Sequence, residues 1–397
     1  MDNKYPRQLA IVTSHPIQYQ VPLFRAIAAQ SDVELTVFFG CDYGTNPEKI
    51  HPGFDKAFAW DIPLLDGYDY RFLKNSRLNI GVNDWRLDGP ELKTLLRSKN
   101  YDVVIVFGWN KVLFWQAIWW ARRYQIPLVL RAESNLKNTS SRFRNLVKRV
   151  VFPRLFEKFD AFLSIGKHNT ALYRHYGVCA EKIYEAPYCV DNDFFANGAA
   201  SAAADAKRLR SQLGIGESDT VFLFMAKFVE RKRPLDLIYA ALKIKRIEKI
   251  HVILVGGGEL NEECQRLIRQ NHIENVHLVG FVNQSILPKY YAAADVFVLP
   301  SYYETWGLVL NEAMASGLPG IVSDACGAMH DMIIEGKTGF SYPMGNVDKL
   351  AQLMGRLASD PDLRKQMSTC AAEHVGNFSV TRVVTELNAI LKDNEPR

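Results

Sequence analysis

Apolar runs of strand length alternate with helix-length amphipathic segments along almost the whole chain. LAIVTS (9–14) and DVVIVFG (102–108) are such runs in the first half, and TVFLFMAKF (220–228) and DVFVLPS (295–301) in the second. Parallel strands that are buried on both faces have this continuous apolar character and need helical crossovers between them. At 397 residues and 48% hydrophobic content the chain can bury two cores. We therefore predict two successive Rossmann-like sheets.

The pattern breaks near residues 186–207, where Pro187 and several Asp and Asn residues precede an alanine-rich segment. We predict an N-terminal domain over residues 1–190 and a linker over 191–204. A C-terminal domain then covers residues 205–375, and a last helix covers 376–397. Two doubly wound domains of this kind are expected to place the carboxyl ends of their sheets on either side of a ligand-binding cleft.

Charge is unevenly distributed between the two halves. Residues 1–190 contain 26 Lys and Arg against 18 Asp and Glu, whereas the remaining residues contain 22 against 25. The basic half is expected to face an anionic partner. The six cysteines have no metal-binding spacing and indicate reduced thiols in a cytoplasmic protein. We expect no signal peptide and no membrane-spanning segment.

Two glutamates, Glu304 and Glu312, lie in the stretch YYETWGLVLNEAMASG (302–317). On one continuous helix they would be about 12 Å apart along the axis. Because glycosidase carboxylates are at most about 9.5 Å apart, that helix excludes a hydrolytic pair. We instead predict a loop carrying Glu304 and a helix opened by Gly307, with Glu312 in its second turn.

The start of this helix and a second loop both suit a diphosphate. The first amides of the helix, at Trp306, Gly307 and Leu308, are expected to point into the cleft as an anion site. Lys227 ends a strand and Lys232 lies in the loop after it, within AKFVERKRP. Two cations at the carboxyl edge of a sheet can neutralise a leaving diphosphate. A solvated charged turn is the competing interpretation of the lysines.

Three weaker motifs add candidates. ILVGGGEL departs from the dinucleotide fingerprint, so Gly257 indicates either a close approach to a nucleotide or a tight turn. His15, Gln18 and Tyr19 follow the first strand and are candidates at its carboxyl edge. The acidic pair in VDNDFF (190–195) suggests a metal site, but Asp and Asn in a linker form turns, and we predict no metal.

Residues 137–158 contain seven Lys or Arg and one acid, with Phe, Leu and Val interleaved. This composition is typical of a basic amphipathic surface that meets anionic lipid. A solvated helix face with long basic side chains is the alternative. No nucleic-acid-binding motif accompanies the region, and we expect no nucleic-acid partner.

Taken in order, these motifs resemble the retaining family 4 of the GT-B glycosyltransferases. The most specific match is ADVFVLPSYYETWGLVLNEAMASGLPGIVSD, followed by EGKTGFSYPMGNVDKLAQLM. It covers nearly all of the second domain and, more loosely, the first. The first loop, SHPIQYQ, is similar to that of bacterial surface-polysaccharide transferases. The resemblance implies an acceptor-binding first domain, a nucleotide-sugar-binding second domain, and a last helix that packs back on the first domain.

The resemblance also implies residue roles. Glu304 corresponds to a contact with donor sugar hydroxyls, and Glu312 to a hydrogen bond with the ribose. Lys227, which replaces the usual arginine, and Lys232 correspond to ligands of the diphosphate. Val282 corresponds to the nucleobase contact. The backbone that approaches the sugar and diphosphate corresponds to Thr305, Trp306, Gly307, Leu308 and Val309.

The first domain departs from the family pattern. The paired glycines of the first loop are absent, and Glu133, within PLVLRAESN, stands about where the family has a histidine. The catalytic contribution of this domain is therefore open among Arg131, Glu133 and His15.

The activity implied is metal-independent, retaining transfer of a sugar from a nucleoside-diphosphate sugar to a hydroxyl of a saccharide or glycolipid acceptor. No cofactor is expected, because the cations and the helix amides would balance the charge of the leaving group. The expected location is the cytoplasm, either in solution or at the inner face of the cell membrane. The alternatives are a GT-B sugar-nucleotide epimerase and a non-catalytic nucleotide-sugar-binding regulator.

Overall fold

Two units with separate hydrophobic cores make up the chain. The computed structural model describes residues 5–45, 50–51, 56–57, 59–77, 81–136, 142–244 and 249–393. One unit comprises Met1–Tyr188 and Val380–Arg397, and the other comprises Cys189–Ser379.

Within the described residues, the first unit forms a seven-stranded sheet of order β5-β2-β1-β6-β7-β8-β9, and all neighbouring strands are parallel. Its inner strands are almost fully buried, as their continuous apolar sequences predict. The strands are β1 (Arg7–Thr13), β2 (Val33–Phe39), β5 (Asp69–Phe72), β6 (Val103–Val106), β7 (Leu128–Leu130), β8 (Ala161–Ser164) and β9 (Ile183–Glu185), beside a small antiparallel pair, β3 (Ile50–His51) and β4 (Lys56–Ala57).

The helices of the first unit lie between these strands, except for the last one. They are α1 (Val21–Ala28), α2 (Leu92–Ser98), α3 (Val112–Arg123), α4 (Arg142–Phe156), α5 (Lys167–His175) and the C-terminal α15 (Val380–Asp393). Helix α15 packs on α1 and β9. The Tyr184 hydroxyl donates to Asp393 at 2.6 Å, and Asn388 donates to Gln30 at 2.7 Å.

The second unit contains, over its described residues, a six-stranded parallel sheet of order β12-β11-β10-β13-β14-β15. Strands and helices alternate around it. The strands are β10 (Thr220–Met225), β11 (Ile250–Val255), β12 (Val276–Gly280), β13 (Val296–Leu299), β14 (Gly320–Ser323) and β15 (Gly339–Tyr342). The helices are α6 (Asn192–Ser201), α7 (Ala203–Gln212), α8 (Pro234–Lys243), α9 (Asn261–Gln270), α10 (Leu287–Ala292), α11 (Val309–Ala315), α12 (Met329–Met332), α13 (Val347–Ser359) and α14 (Pro361–His374).

Residues 191–204, interpreted as a linker, are largely helical in the structure. Asp191 caps α6 by accepting from the Phe194 amide at 2.9 Å, which gives this acidic residue a structural role. Phe195 is fully buried edge-on against Tyr291, with ring centroids 5.7 Å apart. The alanine-rich segment therefore packs as part of the second unit.

Both sheets have the Rossmann order 3-2-1-4-5-6, with β9 added at the end of the first. The prediction of two parallel Rossmann-like sheets is confirmed. In such sheets the direction of winding reverses between the first and fourth strands, and ligands bind at the carboxyl ends there. These points lie between β1 and β6 in the first unit and between β10 and β13 in the second.

No helix among the described residues combines the length and the apolar character needed to cross a bilayer.

Candidate functional site

The reversal point of the second sheet brings together the loops that follow β10 and β13. The Tyr302 amide donates to the Arg231 carbonyl at 2.9 Å, which joins the two loops through their backbones. Glu304 lies in the second loop, as predicted, and is only 6% exposed. Its backbone also forms a bridge with Cys326, after β14. The loop carrying Glu304 is thus held from two sides.

Glu304, which is buried, forms an ion pair with the half-buried Lys232. Ser301 donates to the same carboxylate oxygen of Glu304 at 3.0 Å, and the Arg231 guanidinium lies 3.7 Å from the other oxygen. The family resemblance implied separate ligand contacts for Glu304 and Lys232, and the structure pairs the two side chains with each other. Arg231 was not predicted, although its place beside Lys232 in ERKRP was a signal.

Lys227 lies two residues beyond the end of β10 and is half-buried. The next residue, Phe228, donates its amide to the Gly257 carbonyl at 3.0 Å, which ties this loop to the glycine triplet after β11. At Gly256, which has a φ of +141°, an added Cβ would lie 1.9 Å from the Ala226 carbonyl oxygen. A Cβ on Gly257 would meet nothing within 4 Å. Close backbone packing explains the triplet, and Gly257 borders open space.

Glu312 is buried in the first turn of α11 and accepts a hydrogen bond from the Tyr291 hydroxyl at 2.6 Å. Burial raises the pKa of Glu312 to about 7, and the Tyr291 hydrogen bond opposes this shift. Burial and the nearby Glu312 raise the pKa of Tyr291, which keeps its hydroxyl protonated as a donor. Tyr291 was not among the predicted residues.

Helix α11 begins at Val309, two residues later than predicted. The carbonyls of Gly307 and Leu308 accept from Leu310 and Glu312, and these bonds begin the helical ladder. Glu304 and Glu312 therefore lie in a loop and a helix, as predicted, although Glu312 is in the first turn and not the second. Because α11 begins at Val309 with Leu308 as its N-cap, the amides of Trp306 and Gly307 precede the helix and do not belong to its first turn.

Two residues just before α11 have structural roles. The Trp306 ring is buried, and its indole nitrogen donates to Asn311 at 2.8 Å. Gly307 has a φ of +110°, and an added Cβ would lie 3.0 Å from both the Cys326 sulfur and a Leu299 methyl carbon. Any role of these two residues toward a ligand therefore falls to their backbone atoms.

Val282 is half-buried and lies just beyond β12. The Gly280 carbonyl accepts from the Gly256 amide at 2.8 Å, which holds the end of β12 against the loop after β11. The Asn283 side chain caps the next turn by accepting from Gln284. Val282 is thus placed at the same edge of the sheet as Gly257.

The first unit has its own cavity, of about 260 Å³, at the carboxyl ends of β1, β6 and β7. This is the reversal point of the first sheet, where ligands of such sheets bind. Polar groups dominate the lining, which includes Thr13, Ser14, Gln20, Asn110, Lys111, Glu133 and Ser134.

Lys111 is a buried cation on this cavity. It is 8% exposed, and its ammonium group donates to the carbonyl oxygens of Val82 and, at 3.4 Å, Asp84. No carboxylate in the described ranges lies within ion-pair distance of it. Burial lowers its pKa. Lys111 was not predicted, because a single lysine before a helix carries no motif.

Glu133 is bound by two tyrosines. It accepts from the Tyr19 hydroxyl at 3.1 Å and from the Tyr188 hydroxyl. Burial, followed by the charge of Glu133, raises the pKa of both tyrosines, so they remain donors. The Arg131 guanidinium lies 5.3 Å from the centre of the Tyr188 ring and donates to the Ala186 carbonyl at 2.7 Å. Tyr19, Glu133 and Arg131, all of them predicted, thus surround Tyr188. Tyr188 itself was not predicted.

His15 and Gln18 are the remaining predicted residues of the first loop. The His15 ring nitrogen Nδ1 is 2.8 Å from the Ser14 hydroxyl, and its ring meets Tyr43 edge-on at 6.2 Å. The Oε1 atom of Gln18 is buried and has no hydrogen-bond partner in the part of the chain that is described.

In the described part of the chain, no group of three or more His, Cys, Asp or Glu side chains is placed to hold a metal ion.

Comparison with known proteins identifies the family. Residues 205–374 match the family described as glycosyl transferases group 1. An uncharacterized glycosyltransferase of Methanocaldococcus jannaschii is 32% identical over 167 residues, and this match spans 42% of the chain and 43% of that protein. The D-inositol 3-phosphate glycosyltransferase of Streptomyces bingchenggensis is 30% identical over 408 residues, which span 94% of the chain and 86% of that enzyme.

The fold has a counterpart among solved structures. The Anabaena protein HepE, solved in complex with UDP, superimposes with a TM-score of 0.74 over 98% of this chain and 100% of that chain, at 19% identity. This likeness concerns the fold, which is that of the GT-B glycosyltransferases. Because the near full-length Streptomyces relative agrees with the match over the second unit, the chain belongs to the group 1 glycosyltransferases.

Proposed function

We propose that the protein is a retaining, metal-independent glycosyltransferase of family 4. It moves a sugar from a nucleoside-diphosphate sugar to a hydroxyl of a saccharide or lipid-linked acceptor, in surface-polysaccharide or glycan biosynthesis in the cytoplasm. The observation that carries the proposal is the cluster of Lys232, Arg231 and Glu304 at the reversal point of the second sheet. A carboxylate among cations suits a ligand with both hydroxyls and phosphates.

The donor binds to the second unit in this proposal. Lys227 and Lys232 contact the diphosphate, and Glu304 contacts hydroxyls of the sugar. Glu312 bonds to the ribose, and its hydrogen bond from Tyr291 sets the direction in which its carboxyl group points. Val282 and Gly257 border the nucleobase side through their backbones. HepE, which shares the fold, has been solved with UDP and with UDP-glucose, and this supports the donor class.

Charge balance supports transfer without a metal. As the sugar leaves, negative charge grows on the diphosphate, and preformed cations stabilise it in a site with little water. Lys232 already has Glu304 as a partner, so an arriving phosphate would share its ammonium group. Arg231, 45% exposed at its side chain, adds a third cation to Lys227 and Lys232. A departing phosphate oxygen takes the acceptor proton, which gives front-face transfer with retention.

The acceptor binds in the first unit, at the cavity lined by Lys111, Asn110 and Glu133. Glu133, Arg131 and His15 are the catalytic candidates there, and Tyr19 and Gln18 are the positioning ones. Among these, Glu133 is both on the cavity wall and oriented by two hydroxyl donors.

The proposal is tested by incubating the full chain with UDP-, GDP-, ADP- and dTDP-sugars and following nucleotide release with and without saccharide acceptors. We expect one nucleotide class to raise the melting temperature, and acceptor-dependent release that continues in excess EDTA. Acceptor-independent release or rearrangement of the donor would indicate the epimerase. Binding without turnover would indicate a regulator, and activity restored only by manganese would contradict the metal-free mechanism.

A further inference from the structure

Helices α3 and α4 form one layer on the first unit. They lie in the successive crossovers β6–α3–β7 and β7–α4–β8, and right-handed crossovers in one direction place both helices on the same face of the sheet. Trp109, just before α3, packs on Phe152 of α4 with ring centroids 5.6 Å apart. Arg122 of α3 pairs with Asp160, after α4, at 3.0 Å.

The outer face of α3 exposes tryptophans. Trp115 and Trp119, one turn apart, are 44% and 66% exposed, and Arg122 and Arg123 continue the same face. Trp85 is 66% exposed, and its carbonyl accepts from the Val112 amide at the start of α3. The opposite face supplies the core, with Leu113, Phe114, Ala117, Ile118 and Ala121 buried.

The outer face of α4 is aliphatic. Leu146, Val147, Val150 and Val151 are 61%, 44%, 52% and 42% exposed, at the spacing of a single helical stripe. Residues on the other side of α4, such as Phe156, pack into the core. A solvated helix places its apolar residues inward, whereas α4 has apolar residues on both faces. Contiguous exposed apolar area of this kind marks an interaction surface.

Positive charge surrounds these apolar side chains. Arg149 and Arg154 of α4 are exposed, as are Arg123 of α3 and Lys158. Two acids lie nearby: Asp160 is paired with Arg122, and Glu157 is exposed next to Lys158 in the sequence. The basic region predicted from the sequence overlaps this layer, but residues 137–141 and the side chains of residues 142–145 lie outside the described part of the chain.

We propose that the α3–α4 surface, defined as Trp85, Trp115, Trp119, Leu146, Val147, Val150 and Val151 with the surrounding arginines, binds an anionic lipid bilayer. Tryptophan prefers the interface between headgroups and hydrocarbon, and exposed aliphatic side chains are buried just below it. Basic side chains at the same level attract anionic headgroups. A polysaccharide could stack on the tryptophans but leaves the aliphatic stripe of α4 in water. The bilayer is the partner that accounts for all three features.

The full chain is sedimented with vesicles of phosphatidylcholine alone and of phosphatidylcholine mixed with phosphatidylglycerol. We expect binding to the mixed vesicles that weakens with salt. The double variant Trp115→Ser, Trp119→Ser should lose about tenfold or more in partitioning, because its apolar contacts are removed. The double variant Arg149→Glu, Arg154→Glu should lose at least about tenfold, since each basic residue near an anionic surface contributes about 1 kcal/mol.

Matched controls come from the second unit. Tyr239→Ser removes a comparably exposed aromatic ring from α8, and Lys365→Glu reverses an exposed charge on α14. Both should bind as the unchanged chain does. All of the substituted side chains are exposed, so unchanged melting temperatures are expected and are checked first.

Absence of binding to the mixed vesicles, or binding of the tryptophan variant equal to that of the unchanged chain, would overturn the proposal. So would a shift in tryptophan fluorescence with soluble oligosaccharides but not with vesicles, which would indicate a glycan surface. The proposal rests on the proposed function only in that a lipid-linked acceptor would be met at a membrane. Vesicle binding needs neither donor nor acceptor, so failure of sugar transfer in the unchanged chain is a separate result.

Discussion

The two units share one strand order and carry different chemistry at the same point of that order. At the reversal point of the second sheet, Lys232 and Glu304 form an ion pair with Arg231 beside it. At the equivalent point of the first, Glu133 is held by tyrosine hydroxyls and Lys111 by backbone carbonyls. Ion pairs between neighbouring loops hold the residues at the reversal point of the second sheet, whereas hydrogen bonds from neutral hydroxyls and to carbonyl oxygens hold those of the first.

This difference indicates that the strand order of the sheet determines where a site lies, whereas the residues in the loops determine its chemistry. The group 1 family profile covers the second unit and not the first. Nucleoside-diphosphate sugars all contain a diphosphate, which the same set of cations can bind. Acceptors differ in shape from one enzyme to another. The comparison leads us to expect that substitutions in the second unit alter the donor and the chemical step, and that substitutions in the first alter the acceptor.

The largest effect is expected for Glu304→Gln. It removes the carboxylate that we propose contacts the donor sugar, and we expect kcat to fall by about 10²–10³-fold, the usual loss for one electrostatic group at a reacting centre. Nucleotide affinity, measured by calorimetry, should remain. Glu373→Gln, an exposed substitution on α14, is the control and should leave kcat unchanged.

Because Glu304 is buried and Lys232 is half-buried, Glu304→Gln also leaves a cation without its charged partner and should destabilise the fold by about 1–3 kcal/mol. The double variant Glu304→Gln, Lys232→Met should recover stability but not activity. Recovery of both stability and activity would show that the Glu304–Lys232 ion pair is only structural. The two units would then no longer differ in the chemistry at their reversal points.

The second effect is a pH dependence of stability from Glu312. Its pKa is about 7 in the folded protein, above the value of about 4.3 expected for an unfolded chain. Between these values the folded protein keeps a proton that the unfolded chain has lost. The contribution of Glu312 to the free energy of unfolding should therefore decrease as the pH rises through this window, by about 1.4 kcal/mol per pH unit, and level off above it.

Urea unfolding between about pH 5 and pH 8 measures this effect as the difference between the unchanged chain and Glu312→Gln. Tyr291→Phe removes a hydrogen bond that lowers the pKa of Glu312, so the upper limit of the window should move to higher pH. A difference between the chain and Glu312→Gln that does not vary with pH would contradict the raised pKa.

The third effect concerns acceptor binding by the first unit. Lys111→Met removes a cation from the cavity wall, and we expect the acceptor KM to rise by about tenfold, since hydrogen bonds to charged groups contribute about 1.5–3 kcal/mol. The donor KM should stay constant. Lys365→Met is the exposed control. A change confined to the donor KM would reverse the assignment of the two units.

The smallest effect is expected for Tyr188→Phe. This change removes one donor to Glu133 and keeps the ring that lies against Arg131, so we expect a rise in acceptor KM of about fivefold. Initial rates at varied acceptor concentration measure it, and Tyr19→Phe should behave alike. An effect on kcat alone would contradict this expectation and would select Glu133 as the catalytic residue among the three candidates of the first unit.

Much of the second unit could be predicted from the sequence. The loop position of Glu304, the helix that carries Glu312 and the lysines after β10 follow from short segments whose strand, loop and helix characters are local properties. Local patterns said less where they were ambiguous. Residues 191–204 resembled a linker because alanine and asparagine carry no strong periodicity, and the buried Phe195 decided their packing.

The amino-acid pattern alone was enough for the two doubly wound sheets, the order of their elements and the charged residues at their ends, because these depend on periodicity and composition over a few residues. The tertiary structure alone decided which of those residues contact one another. Lys232 reaches Glu304 across 72 positions, and Tyr188 reaches Glu133 across 55. Such pairs form where separate loops converge at one edge of a sheet, and strand order, which no local pattern encodes, brings them there.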